Sequence, residues 1–329
     1  MKKNIDYSVE TLRGIAIFLV VVGHVIGFDC GFGMEVGPHS PYRYLYFTLQ
    51  FLRIPLFTAI SGFVYARRPV VLDHASRFVL GKARRLLIPL ITGVIIKYAL
   101  NFFVQRYDQI PFEQIWRLFL FPFGHLWYLQ ALFLVFLFII LPEHLKLLST
   151  FRSWLVCLII TFIFAYISQG FPDFFSFDNF PYLLFFFILG IGIYRFSNTL
   201  FYGRRIIPLI IILVAAIVLQ QCVWFFSWPI STHYKGMLGL WTGASAILVL
   251  FRYRKHIPLL ARLGFFSYGI YLYHLFGTTG SRLVLNAFGI DNVHVIFITG
   301  ALVGLFVPIG MESVIDKFKW ARFIFLGKR

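Results

Sequence analysis

The chain is short of charge. Asp, Glu, Lys and Arg make up 13% of its 329 residues, about half the share a soluble globular domain carries. That scarcity excludes an ordinary water-facing surface. Cysteine is scarce too: Cys30, Cys157 and Cys222 are odd in number and widely spaced. Such spacing excludes a zinc framework and a disulfide-stapled fold, and leaves isolated apolar thiols in a membrane core. The sequence has no internal repeat, no low-complexity tract and no stretch long and polar enough for a soluble domain. Nucleic-acid binding is excluded with it, since no soluble basic domain is there to do it.

What remains is apolar. Hydrophobic residues make up 60% of the chain and Phe alone supplies 42 positions; mean hydropathy is +0.82. The fold class is therefore all-α, a polytopic integral membrane protein forming a single transmembrane domain over residues 1–329. Lys2 and Lys3 precede the first apolar run as in a signal peptide, but no small-x-small cleavage site follows. The run over 12–28 reads as a retained first span.

A span needs about 20 mostly apolar residues. Ten candidates fit, near 12–28, 46–66, 86–104, 124–142, 153–169, 181–196, 206–226, 236–251, 266–288 and 293–312. The segment 109–123, IPFEQIWRLFLFPFG, reads as a partial or re-entrant helix. With the N-terminus inside, 23 lysines and arginines fall on the cytoplasmic side and six on the outer side, with Lys97 within a span. The excess of positive charge inside orients the chain, with both termini cytoplasmic. Most of the net charge of +17 thus serves topology and contact with anionic membrane lipids.

Ionisable groups inside a bilayer are costly and mark candidate functional positions. Arg13 and His24 both lie in the first span. Eleven residues separate them, which places them within about 20° around a helix and ~16 Å apart along it. An imidazole titrates near neutrality and is a frequent general base. Arg53 lies in LRIPLFTAISGF, His125 in GHLWYLQ beside Trp127, His274 in FSYGIYLYH, and Glu312 in VPIGMES. Each has a plainer reading: a histidine hydrogen-bonded to a neighbouring helix, an arginine snorkelling to the interface, a glutamate paired with a cytoplasmic base.

The stretch LRGIAIFLVVVGH resembles the opening signature of the membrane-bound acyltransferase 3 family, an Arg, ten residues and then a His on the first span. LRIPLFTAISGF, KARRLLIPL, GHLWYLQALF and FSYGIYLYH are similar to further family segments, in the family's order, and Glu312 sits where the family carries a late Glu. Three features depart from the pattern. Glu10 stands where the family has Asp. Lys82 and Arg85, with Arg84 between them, replace an Arg-x-x-Arg turn. Ser313 and Val314 follow Glu312 in place of Lys-Pro.

The resemblance implies acyl transfer, usually of acetyl, from cytoplasmic acyl-CoA to a hydroxyl of an envelope glycan or another membrane-presented, lipid-linked sugar. It implies a stand-alone enzyme of the bacterial inner membrane, without an appended esterase-like domain. Acyl-CoA is then a co-substrate, with no metal and no permanently bound cofactor. On that reading Arg13, Lys82, Arg84 and Arg85 hold the phosphates. The thioester threads past Ile17 and Val20 to His24, which acts as base or becomes acylated. Glu10 steadies Arg13. Arg53 or His125 steadies the oxyanion or orients the acceptor; Trp127, His274 and Glu312 complete the substrate-binding set. Buried His, Arg and Glu also suit a proton-coupled transporter or flippase, although the halves show no sequence symmetry.

Overall fold

The computed structural model describes residues 5–104 and 111–329. Lys2, Lys3 and Arg106, counted above for sidedness, lie outside the described residues, as do positions 109 and 110 of the segment read as a broken helix. Among the described residues every regular element is helical. In chain order they are α1 (Tyr7–Ile26), α2 (Pro41–Leu49), α3 (Arg53–Ala66), α4 (Ala75–Val104), α5 (Trp127–Phe138), α6 (Phe151–Ile167), α7 (Phe180–Arg195), α8 (Ile206–Phe226), α9 (Met237–Arg252), α10 (Pro258–Phe265), α11 (Ser267–Ala287), α12 (Val293–Ile315) and α13 (Lys319–Leu326), joined by shorter helical turns.

Each of the ten expected spans is helical. By length and composition, 7 helices among the described residues suffice to cross a membrane, with α2 and α3 counting together as Pro41–Ala66 and α5 lying within Gly124–His144. The other three are α4 with 30 residues, α9 with 16 and α11 with 21. In α11, Ser267, His274, Thr278, Ser281 and Arg282 interrupt the apolar run and lower its hydropathy. The region after residue 110 is broken, as expected: a turn at Phe112–Gln114 and one short helix at Arg117–Leu120.

The chain divides into two compact units, Met1–Ser61 with Phe196–Ser313, and Gly62–Arg195 with Val314–Arg329. In the first unit, α1 begins where the Asp6 carboxylate accepts from the backbone N–H groups of Ser8 and Val9. It ends at Gly27, whose φ of 87° suits glycine and few other residues. Close packing rests on small residues. Gly14 lies against the Leu260 carbonyl and Gly264 against the Glu10 carbonyl, so α1 and α10 each leave room for the other's backbone. Gly300 and Gly304 of α12 face Val25 and Val21 of α1. The Ile257 N–H donates to Thr11 Oγ1 at 3.0 Å, and Arg254 Nε donates to Ser8 Oγ at 3.1 Å. These bonds tie the foot of α1 to the chain entering α10.

In the second unit α7 is the core, buried from Phe180 through Ile193. Trp154 of α6 lies over Gly192, and its indole N–H donates to the Ile188 carbonyl at 2.9 Å. Arg195, closing α7, meets the Glu143 carboxylate at 2.8 Å and donates to the Leu148 carbonyl at 3.1 Å. Helix α13 docks on α4 through Thr92 to the Ile324 carbonyl and Arg84 to the Gly327 carbonyl.

Burial separates the apolar helices. The apolar window of α1 is 72% buried and that of α7 78%, whereas α8 reaches 17%. Helices apolar on every side and left this uncovered present a surface for lipid rather than water. Cys157 and Cys222 are half-buried, in α6 and α8. Cys30, expected in a membrane core, is instead exposed in the loop that follows α1. The reason is local: Gly27 ends the helix three residues earlier.

Candidate active site

The first unit brings together most of the ionisable groups singled out in the sequence. Glu10 and Arg13 sit one turn apart on α1. Arg13 Nη1 contacts both Glu10 carboxylate oxygens, at 2.8 and 3.1 Å. Glu10 is itself buried, so the carboxylate fixes the guanidinium at the foot of the helix, as expected.

His24 lies near the other end of α1, half-buried on a helix whose neighbouring positions are buried. Its ring faces that of His274, with centroids 4.8 Å apart and planes at 47°. His274 is fully buried. Its Nδ1 lies 2.8 Å from the Tyr271 carbonyl and 3.1 Å from that of Ile270. A carbonyl oxygen only accepts, so Nδ1 carries a proton and donates it. The backbone of α11 thus fixes the orientation of the His274 ring.

Arg53 completes the cluster. Its guanidinium lies over the Tyr46 ring at 4.0 Å and packs against the backbone of Gly23, where any Cβ would collide with Nη1. The residue preceding His24 therefore has to be small for Arg53 to reach this place. Gly23 and Tyr46 were not singled out in the sequence. Gly23 carried a usable signal, being a glycine set immediately before an intramembrane histidine. Glu312 of α12 packs its carboxylate against Gly269 of α11, five residues from His274.

The loop that follows α1 is clamped. Arg43 donates to the carbonyls of Gly27 and Asp29 at 2.7 and 2.6 Å. Arg282 pairs with Glu35 at 2.9 Å and also donates to the Gly33 carbonyl. Both arginines were expected only to mark the outer side. They hold the segment that begins three residues after His24.

Two expectations change. Ile17 and Val20, between Arg13 and His24, are 0% and 3% exposed. That stripe of α1 is packed solid and is not an open path for a thioester arm. The basic turn of α4 is not three equivalent cations either. Arg84 Nε donates to the Gly327 carbonyl, and the Lys82 ammonium lies 3.6 Å from the Phe136 ring centroid. Burial, with Arg85 adding to it, pushes Lys82 down to about 8; Arg85 is exposed. These three, with His125 and Trp127, belong to the second unit, whereas Arg13 belongs to the first. His125 is buried in the turn Gly124–Leu126, and Trp127 opens α5 half-buried. Beside them Lys97 lies 4.1 Å from the Phe123 ring centroid, its ammonium against Gly124.

The sequence model of the acyltransferase 3 family, described as an acyltransferase domain, matches residues 6–312. The chain belongs to this family. No curated protein and no solved structure matches it. The match runs from the residue that caps α1 to Glu312 itself, and so takes in all eleven positions singled out above. An acyltransferase of this kind needs a base, an oxyanion donor and a place for its donor substrate. The first unit brings two histidines and an arginine into one cluster.

Proposed function

We propose that this acyltransferase moves an acyl group, most simply acetyl, from cytoplasmic acyl-CoA to a hydroxyl of an envelope or exported glycan, or of another membrane-presented sugar. It does so from the bacterial inner membrane, on ten spans with both termini inside. The observation that carries the reading is the cluster of His24, His274 and Arg53, in which His24 shares α1 with the Glu10–Arg13 pair.

His24 removes the proton from the acceptor hydroxyl as its oxygen attacks the thioester carbonyl. Arg53, steadied by Tyr46 and by the space over Gly23, donates to the oxyanion that forms. Collapse breaks the C–S bond; the proton held by His24 passes to the departing thiolate, and the ester remains on the sugar. His274 holds the His24 ring in position. Arg13, fixed by Glu10, attracts the anionic portion of the donor.

The test is deletion of the gene in its host, with complementation by wild type or His24→Ala at matched expression. Ester-linked acyl groups on envelope glycans are counted by NMR before and after mild base. One O-acyl signal should vanish on deletion and return with wild type alone. An unchanged acyl content, with a glycan or lipid building up on one side of the membrane, would replace transfer by transport.

A further inference from the structure

An open cavity of about 400 Å³ lies in the first unit, between the connection from α7 to α8 and the end of α9. Its walls include Ser197, Asn198, Tyr202, Phe251, Arg252 and Arg254. None of these belongs to the site described above. The volume falls in the range of small-molecule sites.

Three features define its chemistry. The stretch from residue 179 to residue 290 contains no Asp or Glu, while from α1 the Asp6 carboxylate accepts from Ser8 Oγ, the partner of Arg254. Arg254 is held in place by Ser8 Oγ and by the Phe251 carbonyl, at 3.1 and 2.8 Å. Arg252 is exposed and, among the described residues, makes no ion pair; its guanidinium lies 5.6 Å from the Tyr253 ring centroid. Beside the arginines, Tyr202 presents a phenol ring that is 72% exposed, and Asn198 and Ser197 add short hydrogen-bonding side chains. Arginine forks suit phosphate oxygens; an uncovered ring beside them suits a planar base.

The placement is equally specific. Arg254 contacts Ser8 in the first turns of α1, so the cavity opens at the end of this unit where Arg13 stands. From Ser8 to His24 the helix rises about 24 Å, a distance bridged by a ligand with a long thin arm.

We propose that this cavity binds a phosphorylated nucleoside, the nucleotide end of the acyl-CoA donor. The inference rests on the function proposed above and adds to it a docking site separate from Arg13 and from the basic turn of α4. The shared chemistry is a phosphate ester, and an anionic lipid headgroup is the other source of one.

The full chain, purified and placed in phosphatidylcholine nanodiscs, is titrated with adenosine 3′,5′-bisphosphate. Arg252→Ala and Tyr202→Ala should each weaken binding at least tenfold, and Arg252→Lys should fall between them and wild type. Both residues are exposed, so melting temperatures should stay unchanged. Equal affinity for wild type and variants overturns the proposal. So does a wild type that ignores the nucleotide but retains phosphatidylglycerol in native mass spectrometry in an Arg252-dependent way, since the cavity is then a lipid site. The two readings separate cleanly. Nucleotide binding that depends on Arg252, in a protein that transfers no acyl group, removes the transferase reading and keeps the site. Normal transfer with unaltered nucleotide binding in both variants does the reverse.

Discussion

The imidazole of His24 on α1 faces that of His274 on α11 at 4.8 Å between centroids, and His274 is locked by two carbonyls of its own helix. Replacing His24 by Ala should lower kcat by about 10²–10⁴, the usual worth of a general base. Replacing His274 by Gln should cost roughly tenfold, in keeping with one lost polar contact. It should also move the acid limb of the pH–rate profile while leaving KM for acyl-CoA alone. Release of free CoA thiol, followed from pH 5 to 9, provides the readout. A His274→Gln enzyme with reduced melting temperature but an unmoved profile would make the residue purely structural.

Much of this arrangement can be read in the sequence, and the unreadable part has a definite cause. The helices are legible because most apolar runs are as long as a span and are closed by polar or glycine residues, as at Asp6 and Gly27. The Glu10–Arg13 contact and the common face of Arg13 and His24 are legible because they are local to one helix. Partner choice is not. Helices α1 and α6 are alike in hydropathy, yet one is mostly covered and the other mostly bare. In a soluble helix polarity marks the outer face; here lipid and protein are equally apolar partners. That His274 meets His24, that Arg53 lies on Gly23, and that Arg84 serves α13 are long-range facts with no periodic signature. The packing of Ile17 and Val20 belongs to the same class.

Lys82 gives the pH dependence a sign. Burial, followed by the nearby Arg85, lowers its pKa from 10.5 to about 8, and it precedes the expected span in α4. The folded chain therefore holds this proton less tightly than the unfolded chain. Between about pH 8 and 10.5 the unfolded state binds more protons, so the Lys82 contribution to stability rises with pH across that window and is level above it. A donor phosphate held by Lys82 behaves oppositely: its affinity should fall as pH passes 8 and the ammonium is lost. Thermal unfolding and CoA titration at pH 7, 8 and 9, each compared with Lys82→Met, test both signs. Lys82→Met should be flat in both. An affinity for CoA that ignores both pH and the substitution removes Lys82 from the donor site.

The pair of Glu143 and Arg195 tests the second unit by itself. The contact is 2.8 Å long, with side-chain exposures of 10% and 18%. Breaking such a covered pair from one side leaves a charge without its counter-charge and costs about 3 kcal/mol. Glu143→Gln should therefore lower the melting temperature clearly. The double variant Glu143→Gln with Arg195→Met should recover much of the loss, since both charges are gone. A double-mutant cycle on purified protein in nanodiscs measures the coupling. Additive losses would show that the Leu148 carbonyl alone satisfies Arg195.

Gly23 separates catalysis from stability most sharply. A methyl group there would overlap Arg53 Nη1, the far end of a flexible side chain, whereas the backbone of α1 need not move. Gly23→Ala should therefore cost less than about 1.5 kcal/mol in stability, within the range of mild overpacking. Alanine also favours a helix over glycine by roughly 1 kcal/mol, which offsets part of that. Activity should behave differently. Pushing the guanidinium off its place over Tyr46 removes an oxyanion donor, a loss of about 10²–10³ in kcat. Arg53→Lys should match it, because a point charge on a shorter arm cannot reproduce the fork. Adding Arg53→Lys to Gly23→Ala should then cost little more, since both changes remove the same contact. If Gly23→Ala keeps full kcat while Arg53→Lys loses it, the glycine serves packing only and Arg53 reaches the reacting carbonyl from another position.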